Sequence, residues 1–284
     1  MPHTNTALLT VLAMLAFAGN SLLCRLALKG TTIDAGTFTV ARVAAAAAVL
    51  WLIVMARRQA GRERGMTLGG NWVSALALFC YAAAFSFAYE RLSAGTGALL
   101  LFAAVQATMT GYGLYAGEPL RTQQWVGLAL ALTGLVWLML PSLATPPLAS
   151  SLLMVAAGIA WGIYSLRGKR AADPVETTAG NFVRAVPMAL ALGAAIHAQR
   201  SLDSTGLAYA VVSGAITSGL GYVLWYIAVP RLRAATAATV QLSVPVIAAA
   251  GGIVLLGEAL TLRLALSAAA VLGGIALVIL GKRA

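Results

Sequence analysis

The chain has 284 residues, of which 61% are hydrophobic and only 10% charged, with a mean hydropathy of +0.89. Soluble domains carry about 25% charged residues, so this composition excludes an ordinary soluble fold. The formal charge of +11 could point to nucleic acid, but most of the lysines and arginines stand between the apolar runs and are spread along the chain, which argues against that class too.

The apolar runs are near 20 residues long, enough to cross a hydrocarbon layer of about 30 Å as helices. They lack the apolar/polar alternation of barrel strands. Ten spans are predicted. The first, 5–28, has no basic start and too long an apolar part for a cleavable signal peptide, and it carries Asn20 and Ser21 at depth. The second, 35–56, is alanine-rich and holds Arg42 one or two turns inside its start. In the third, 70–89, Tyr81, Phe85 and Tyr89 recur every four residues and share a face. The fourth, 94–115, repeats that spacing with Phe102, Gln106 and Thr110. Glu118 precedes the fifth, 123–140, where a carboxylate can bind free backbone N–H groups at the helix start.

A proline-rich, uncharged stretch, 141–149, cannot continue a helix and reads as a linker. The sixth span, 150–166, clusters Trp161, Tyr164 and Ser165. The seventh, 177–198, holds Arg184. In the eighth, 205–228, Ser218, Tyr222 and Trp225 follow helical spacing. In the ninth, 234–256, Pro245 frees a carbonyl one turn earlier, near Gln241, and a kink is expected there. Glu258 precedes the tenth, 262–281. Cys24 and Cys80 both fall inside spans and read as small apolar packing residues without disulfide or metal spacing.

Arg91 to Leu140 and Arg231 to Leu280 align without a gap at an offset of 140, matching Thr96 with Thr236, Gly111 with Gly251, Gly117 with Gly257, Glu118 with Glu258 and Gly134 with Gly274. Weaker matches extend the repeat, Phe17 to Trp161 and Arg42 to Arg184 among them. The chain thus divides into a repeat at 5–140, the linker at 141–149 and a repeat at 150–284. Five spans is an odd number, so the second repeat is expected to be inverted relative to the first. That plan builds transport sites near the bilayer midplane. The fold class is therefore an all-α integral membrane protein of ten transmembrane helices in two inverted five-helix repeats.

With a cytoplasmic amino terminus, Arg57, Arg58, Arg62, Arg64, Arg121, Arg167, Lys169, Arg170, Arg231, Arg233, Lys282 and Arg283 lie inside. Only Arg25, Lys29, Arg91, Arg200 and Arg263 then lie outside. This bias places both termini in the cytoplasm.

The turn Tyr115-Ala-Gly-Glu-Pro-Leu-Arg-Thr-Gln-Gln-Trp-Val-Gly-Leu-Ala-Leu-Ala-Leu-Thr-Gly134 resembles the closing signature of an EamA domain. Leu256-Gly-Glu-Ala-Leu-Thr-Leu-Arg263 and the upstream Gln241-Leu-Ser-Val-Pro245 resemble a second copy. Two such domains are the plan of the drug/metabolite transporter superfamily, and the stretch from Ser93 to Met109 resembles its branch of bacterial aromatic amino-acid exporters. One departure is Val105, where that family usually has a proline in the fourth span, so the repeats need not bend alike. The resemblance implies an inner-membrane exporter of aromatic and other hydrophobic amino acids working by alternating access.

Polar side chains at depth tend to face the bundle interior and mark the pathway. The candidate substrate-binding residues are Asn20, Ser21, Tyr81, Phe85, Phe102, Gln106, Trp161, Tyr164, Ser218, Tyr222, Trp225 and Gln241, expected around one central cavity. Their amides and hydroxyls could bind an ammonium or carboxylate without a fixed counter-charge. Arg42, Arg184, Pro245, Glu118 and Glu258 are expected in gating or structural roles, the arginines by snorkelling, by pairing with loop carbonyls or as gate charges. No Asp or Glu falls in the middle of a predicted span, which favours facilitated diffusion or exchange over tight proton coupling and lowers the alternative of drug or cation efflux. Metalloprotease, serine-hydrolase and paired-carboxylate patterns are all missing, so neither enzymatic chemistry nor a metal or cofactor is expected. The expected partners are a small-molecule substrate and the lipid bilayer, and a monomer is plausible.

Overall fold

A computed structural model describes residues 3–59, 68–92, 94–139, 147–196, 201–256 and 262–280. The described residues are helical or in short connections. In chain order the helices are α1 (His3–Gly30), α2 (Ala35–Gln59), α3 (Trp72–Tyr89), α4 (Ala94–Tyr115), α5 (Thr122–Met139), α6 (Leu148–Gly168) and α7 (Pro174–Ala195). The eighth pass is composite: α8 (Ser204–Val212), a π-helix (Ser213–Leu220) and α9 (Gly221–Ala228). The ninth joins α10 (Ala234–Gln241) to α11 (Ser243–Leu256), and the tenth is α12 (Leu262–Leu280). Ten passes result. Five, Thr6–Gly30, Ala35–Gln59, Trp72–Tyr89, Leu148–Gly168 and Ser204–Arg231, are long and apolar enough to cross a membrane on their described residues alone.

Helix starts follow local chemistry. Orphan N–H groups of a first turn need acceptors, and short polar side chains supply them. Asp34 Oδ1 accepts from Thr37 N at 2.8 Å, Asn71 Oδ1 from Ser74 N at 3.0 Å, Asp173 Oδ1 from Glu176 N at 2.8 Å and Asp203 Oδ1 from Gly206 N at 2.6 Å. Pro174 follows Asp173 as the first residue of α7, where its missing N–H is harmless. The outer surface carries Leu8, Val11, Leu52, Trp72 and Leu76, all more than half exposed, as a lipid-facing shell does.

The packing has two-fold pseudosymmetry. α3 packs on α6 as α9 packs on α1, and α4 on α6 as α11 on α1. α3 meets α7 as α8 meets α2. α2 with α7, α4 with α10, and α5 with α12 are pairs of counterparts lying against each other. The two five-helix repeats are inverted and interlocked, so the centre is built from both.

In lipid, helices associate by close backbone packing. Several contacts demand glycine, two of them between spans at the seams of the repeats. A Cβ on Gly127 in α5 would lie 2.7 Å from the Gly274 carbonyl oxygen in α12. A Cβ on Gly214 would overlap the Arg42 carbonyl oxygen and stand 2.9 Å from the Ala45 Cβ, so the π-helix rests directly on the α2 backbone.

The ninth span is not one helix. Pro245 has no N–H for the Gln241 carbonyl, and the chain turns at Leu242, whose N–H is donated to the Thr239 carbonyl oxygen at 3.0 Å. α4, with Val105 at the matching place, runs unbroken. The eighth span departs from the uniform helical spacing expected for it, because the π-helix widens the turn from 213 to 220.

Candidate functional site

Two groups of residues meet where the repeats cross. The first is aromatic. Trp161 of α6 lies 4.8 Å from Tyr81 of α3, 4.7 Å from Tyr222 of α9 and 5.0 Å edge-on from Phe17 of α1, centroid to centroid. Tyr164 joins Trp161 at 5.6 Å and stacks on Tyr226 at 4.8 Å. Trp225 meets Phe17 at 5.9 Å, and Phe182 of α7 stacks on Tyr222 at 5.7 Å. Phe85 and Tyr89 continue the series along α3. These rings are buried against one another.

The second group is polar and sits beside the rings. Asn20 Oδ1 accepts from Ser213 Oγ, from Thr217 Oγ1 at 3.4 Å and from Ser218 Oγ at 3.5 Å, while its Nδ2 donates to the Tyr81 hydroxyl at 3.5 Å. The π-helix makes this possible, presenting three hydroxyls of one short segment to a single amide. Arg42 donates from Nε to Ser218 Oγ at 2.9 Å, and from Nη2 to the Tyr222 hydroxyl at 2.8 Å and the Tyr81 hydroxyl at 3.5 Å. Its Nη1 is buried with no hydrogen-bond partner among the described residues. The guanidinium lies 5.4 Å from the Tyr81 ring centroid and 5.5 Å from that of Phe85, within cation–π range.

Gln241, the last residue of α10, ties the ninth span to this centre. Its Oε1 accepts from Trp161 Nε1 at 2.6 Å, and its Nε2 donates to the Ala237 carbonyl at 3.0 Å. Gln106 donates to Thr110 Oγ1 at 2.7 Å and keeps its own Oε1 buried without a partner among the described residues. Trp225 Nε1 donates to Ser165 Oγ at 3.0 Å.

Of the residues named from sequence, Asn20, Tyr81, Phe85, Trp161, Tyr164, Ser218, Tyr222 and Trp225 therefore come together, with Gln241 attached through Trp161. Ser21 does not join: its hydroxyl donates to the Phe17 carbonyl in its own helix at 3.3 Å. Phe102 is buried on α4 but takes no part in the ring contacts found among the described residues. Glu258 lies outside the described residues. Pro245 stands in the first turn of α11, beyond the break at Leu242.

The two matching arginines have unlike surroundings. Arg184 Nη1 donates to the Gly69 carbonyl at 2.8 Å and the Gly180 carbonyl at 2.9 Å, binding a loop at the bundle end. Arg42 neither snorkels nor binds a loop. It is 1% exposed and held by side chains of both repeats, because α2 is covered at this level by the π-helix. This also changes the chemistry expected for the centre, since a fixed positive charge is present after all.

Glu118 serves a different helix from the one it precedes. Its Oε2 accepts from Ala234 N at 2.9 Å, at the start of α10, and its carboxylate faces Lys169 at 3.5 Å and Arg233 at 3.8 Å. The start of α5 is instead capped by Gln124, whose Oε1 accepts from Arg121 N at 3.1 Å. Glu118 thus joins three connections at one end of the bundle. Nearby, Arg57 pairs with Asp173 at 3.1 Å and Arg58 with Glu176 at 3.2 Å. Burial alone would raise the Asp173 carboxyl, but the Glu176 N–H and the Arg57 guanidinium outweigh it and hold it below its ordinary value. At the opposite end Asp34 is likewise held low against burial by the bonds of Thr37 and Ser201, the Ser201 N–H reaching Oδ2 at 2.9 Å.

The EamA-like transporter family model matches residues 4–140 and 148–280, one copy for each repeat. The chain belongs to the EamA-like transporter family. It is a multi-pass membrane protein of two EamA domains within the drug/metabolite transporter superfamily. It is 54% identical over 279 residues to an uncharacterized protein of Pseudomonas aeruginosa, covering 98% of this chain and 96% of that one. It is 36% identical over 151 residues to the threonine/homoserine exporter RhtA of Escherichia coli, covering 50% of this chain and 49% of RhtA. A probable amino-acid metabolite efflux pump of Salmonella typhimurium is 28% identical over 207 residues, covering 68% and 69%. A solved crystal structure with 19% identity superposes with a TM-score of 0.80 over 99% of both chains, which shows the shared fold.

Sequence reasoning missed Phe17, Phe182, Ser213 and Thr217 in this EamA centre. A signal for Phe17 exists in the repeat itself, where it matches Trp161. Tyr81 and Tyr222, one from each repeat, also meet, their hydroxyls 3.4 Å apart. Residues near a two-fold axis meet their own counterparts, so aromatic pairs matched by a repeat mark the centre. Ser213 and Thr217 carried no such signal, because only the π-helix brings them round to Asn20.

Proposed function

We propose that this protein exports amino acids, aromatic and other hydrophobic ones foremost, across the bacterial inner membrane by alternating access between its two repeats. The observation that carries this reading is the buried centre itself, where Trp161, Tyr81 and Tyr222 crowd against the hydrogen-bonding group of Asn20, Ser218 and Arg42. Rings offer offset or edge contacts to a flat side chain, and the polar group offers partners to an α-amino-acid head. RhtA, an exporter of threonine and homoserine by its name, and a probable amino-acid metabolite efflux pump support amino acids as the substrate class.

The transporter works without proton coupling in this reading, as a facilitator or exchanger, because no carboxylate stands at depth in any predicted span. Both termini are cytoplasmic, so the end knitted by Glu118, Asp173 and Glu176 faces the cytoplasm. A second reading, small hydroxylated amino acids, is favoured by the hydroxyls of Ser213, Thr217 and Ser218 around Asn20 together with the RhtA match. Efflux of organic cations is disfavoured by the Arg42 charge at the centre.

The test is counterflow in proteoliposomes holding only this protein, with labelled phenylalanine, labelled threonine and an organic cation, with and without a pH gradient. Saturable phenylalanine exchange that ignores the pH gradient is expected. Faster threonine exchange selects the second reading, and flux of the cation alone overturns both.

A further inference from the structure

The chain has eight acidic residues, Asp34, Glu63, Glu90, Glu118, Asp173, Glu176, Asp203 and Glu258, and by sequence each falls outside the predicted spans. Arg42 is different. It sits seven residues beyond Ala35, about 10 Å along its helix, and is 1% exposed. Among the described residues no carboxylate pairs with it. Its neighbours are neutral: the hydroxyls of Ser218, Tyr222 and Tyr81, and the ring faces of Tyr81 and Phe85.

A guanidinium carries five N–H donors in a planar fork that matches a carboxylate. Here Nε and Nη2 are used, and both donors of Nη1 are buried and left over among the described residues. A buried cation without an anion costs several kcal/mol, so a carboxylate beside Nη1 would complete the arrangement. The hydroxyls beside it suit a carboxylate. Those of Ser218 and Tyr222 accept from Arg42, and each can rotate to donate to a carboxylate.

We propose that Arg42 is the anchor for a free carboxylate on the transported molecule, so that the site takes a carboxylate in preference to its amide or the corresponding amine. This rests on the amino-acid reading above and deepens it by naming the group that is recognised. A bound carboxylate neutralises the centre, whereas a bare amine meets like charge in a low dielectric.

The experiment measures thermal stabilisation of the purified full chain in detergent by phenylalanine, threonine, phenylalaninamide, threoninamide and phenylethylamine, for wild type, Arg42→Gln and Arg42→Lys. Counterflow of the labelled amino acids is measured alongside. The expected result is stabilisation of wild type by at least one amino acid, at least about tenfold weaker response to its amide, and a similar loss on Arg42→Gln, the scale of a charge-assisted hydrogen bond. Arg42→Lys keeps the preference for acid over amide at reduced affinity. Equal response to acid and amide in wild type, no response to either acid, or an unchanged preference in Arg42→Gln overturns the proposal. Should Arg42→Gln fail to fold, the wild-type acid and amide comparison and Arg42→Lys still decide it. Stabilisation by acids without counterflow would sink the transport reading and leave the anchor standing. Counterflow inhibited equally by acid and amide would do the reverse.

Discussion

At the scale of single residues, the centre is a set of hydrogen bonds with few spare partners. Gln241 Oε1 is the acceptor for the buried Trp161 N–H. Gln241→Ala leaves that donor unpaired, which costs about 1–3 kcal/mol, and the thermal midpoint of the purified protein falls. Trp161→Phe added to Gln241→Ala removes the orphan donor and recovers part of the loss. Additivity of the two substitutions would contradict the bond. Asp173 answers to pH. Its carboxyl is held below the ordinary value, so its contribution is fully present above the unfolded value of about 3.9 and is lost as pH falls through the still lower folded value. Stability is therefore expected to be flat from pH 8 to 5 with respect to this group and to drop below about pH 4. Asp173→Asn keeps an acceptor for the Glu176 N–H but loses the Arg57 pair, so it is milder than Asp173→Ala, which loses both.

At the scale of elements, two departures from a straight α-helix place the site. The π-helix brings Ser213, Thr217 and Ser218 to Asn20 and seats Gly214 on the Arg42 carbonyl. Gly214→Val has no room for its side chain and forces α2 from the eighth span. A loss of about 1–3 kcal/mol or failure to fold is expected, while Gly111→Ala, whose added methyl meets nothing within 4 Å, is tolerated. The break at Leu242 places Gln241 at the end of α10, facing Trp161. Pro245→Ala restores an N–H to the Gln241 carbonyl and lets α10 run into α11. The expected outcome is a protein at least as stable but slower in counterflow. Wild-type flux from Pro245→Ala would show that the break has no part in transport.

At the scale of the whole molecule, the repeat puts like against like. Phe17 meets its counterpart Trp161, and Tyr81 meets Tyr222 of the other repeat, while the charges at the two bundle ends depart from the symmetry. One end is joined by Glu118, Asp173 and Glu176 to basic residues, the other by Asp34 and Glu90, the latter accepting from Ala35 N at 3.4 Å. A single cysteine at Ala171, in a protein lacking Cys24 and Cys80, is expected to escape a membrane-impermeant maleimide added to intact cells, and one at Leu202 to react. The opposite pattern would invert the orientation and the assignment of ends.

The sequence alone determined the membrane class, the two-repeat plan and most of the aromatic centre. These follow from span length, from an odd number of spans per repeat and from polar or aromatic residues at helical spacing, all local or periodic properties of the chain. Tertiary structure alone decided the different fates of Arg42 and Arg184. The two match in the repeat, yet Arg42 is covered by a π-helix about 170 residues later in the chain, while Arg184 reaches a loop carbonyl. It also decided that Glu118 caps α10, because carboxylates and helix starts pair by proximity at a bundle end and not by order along the chain. Local sequence sets what each helix can present. Which long-range partner receives it depends on how the inverted repeats close on each other.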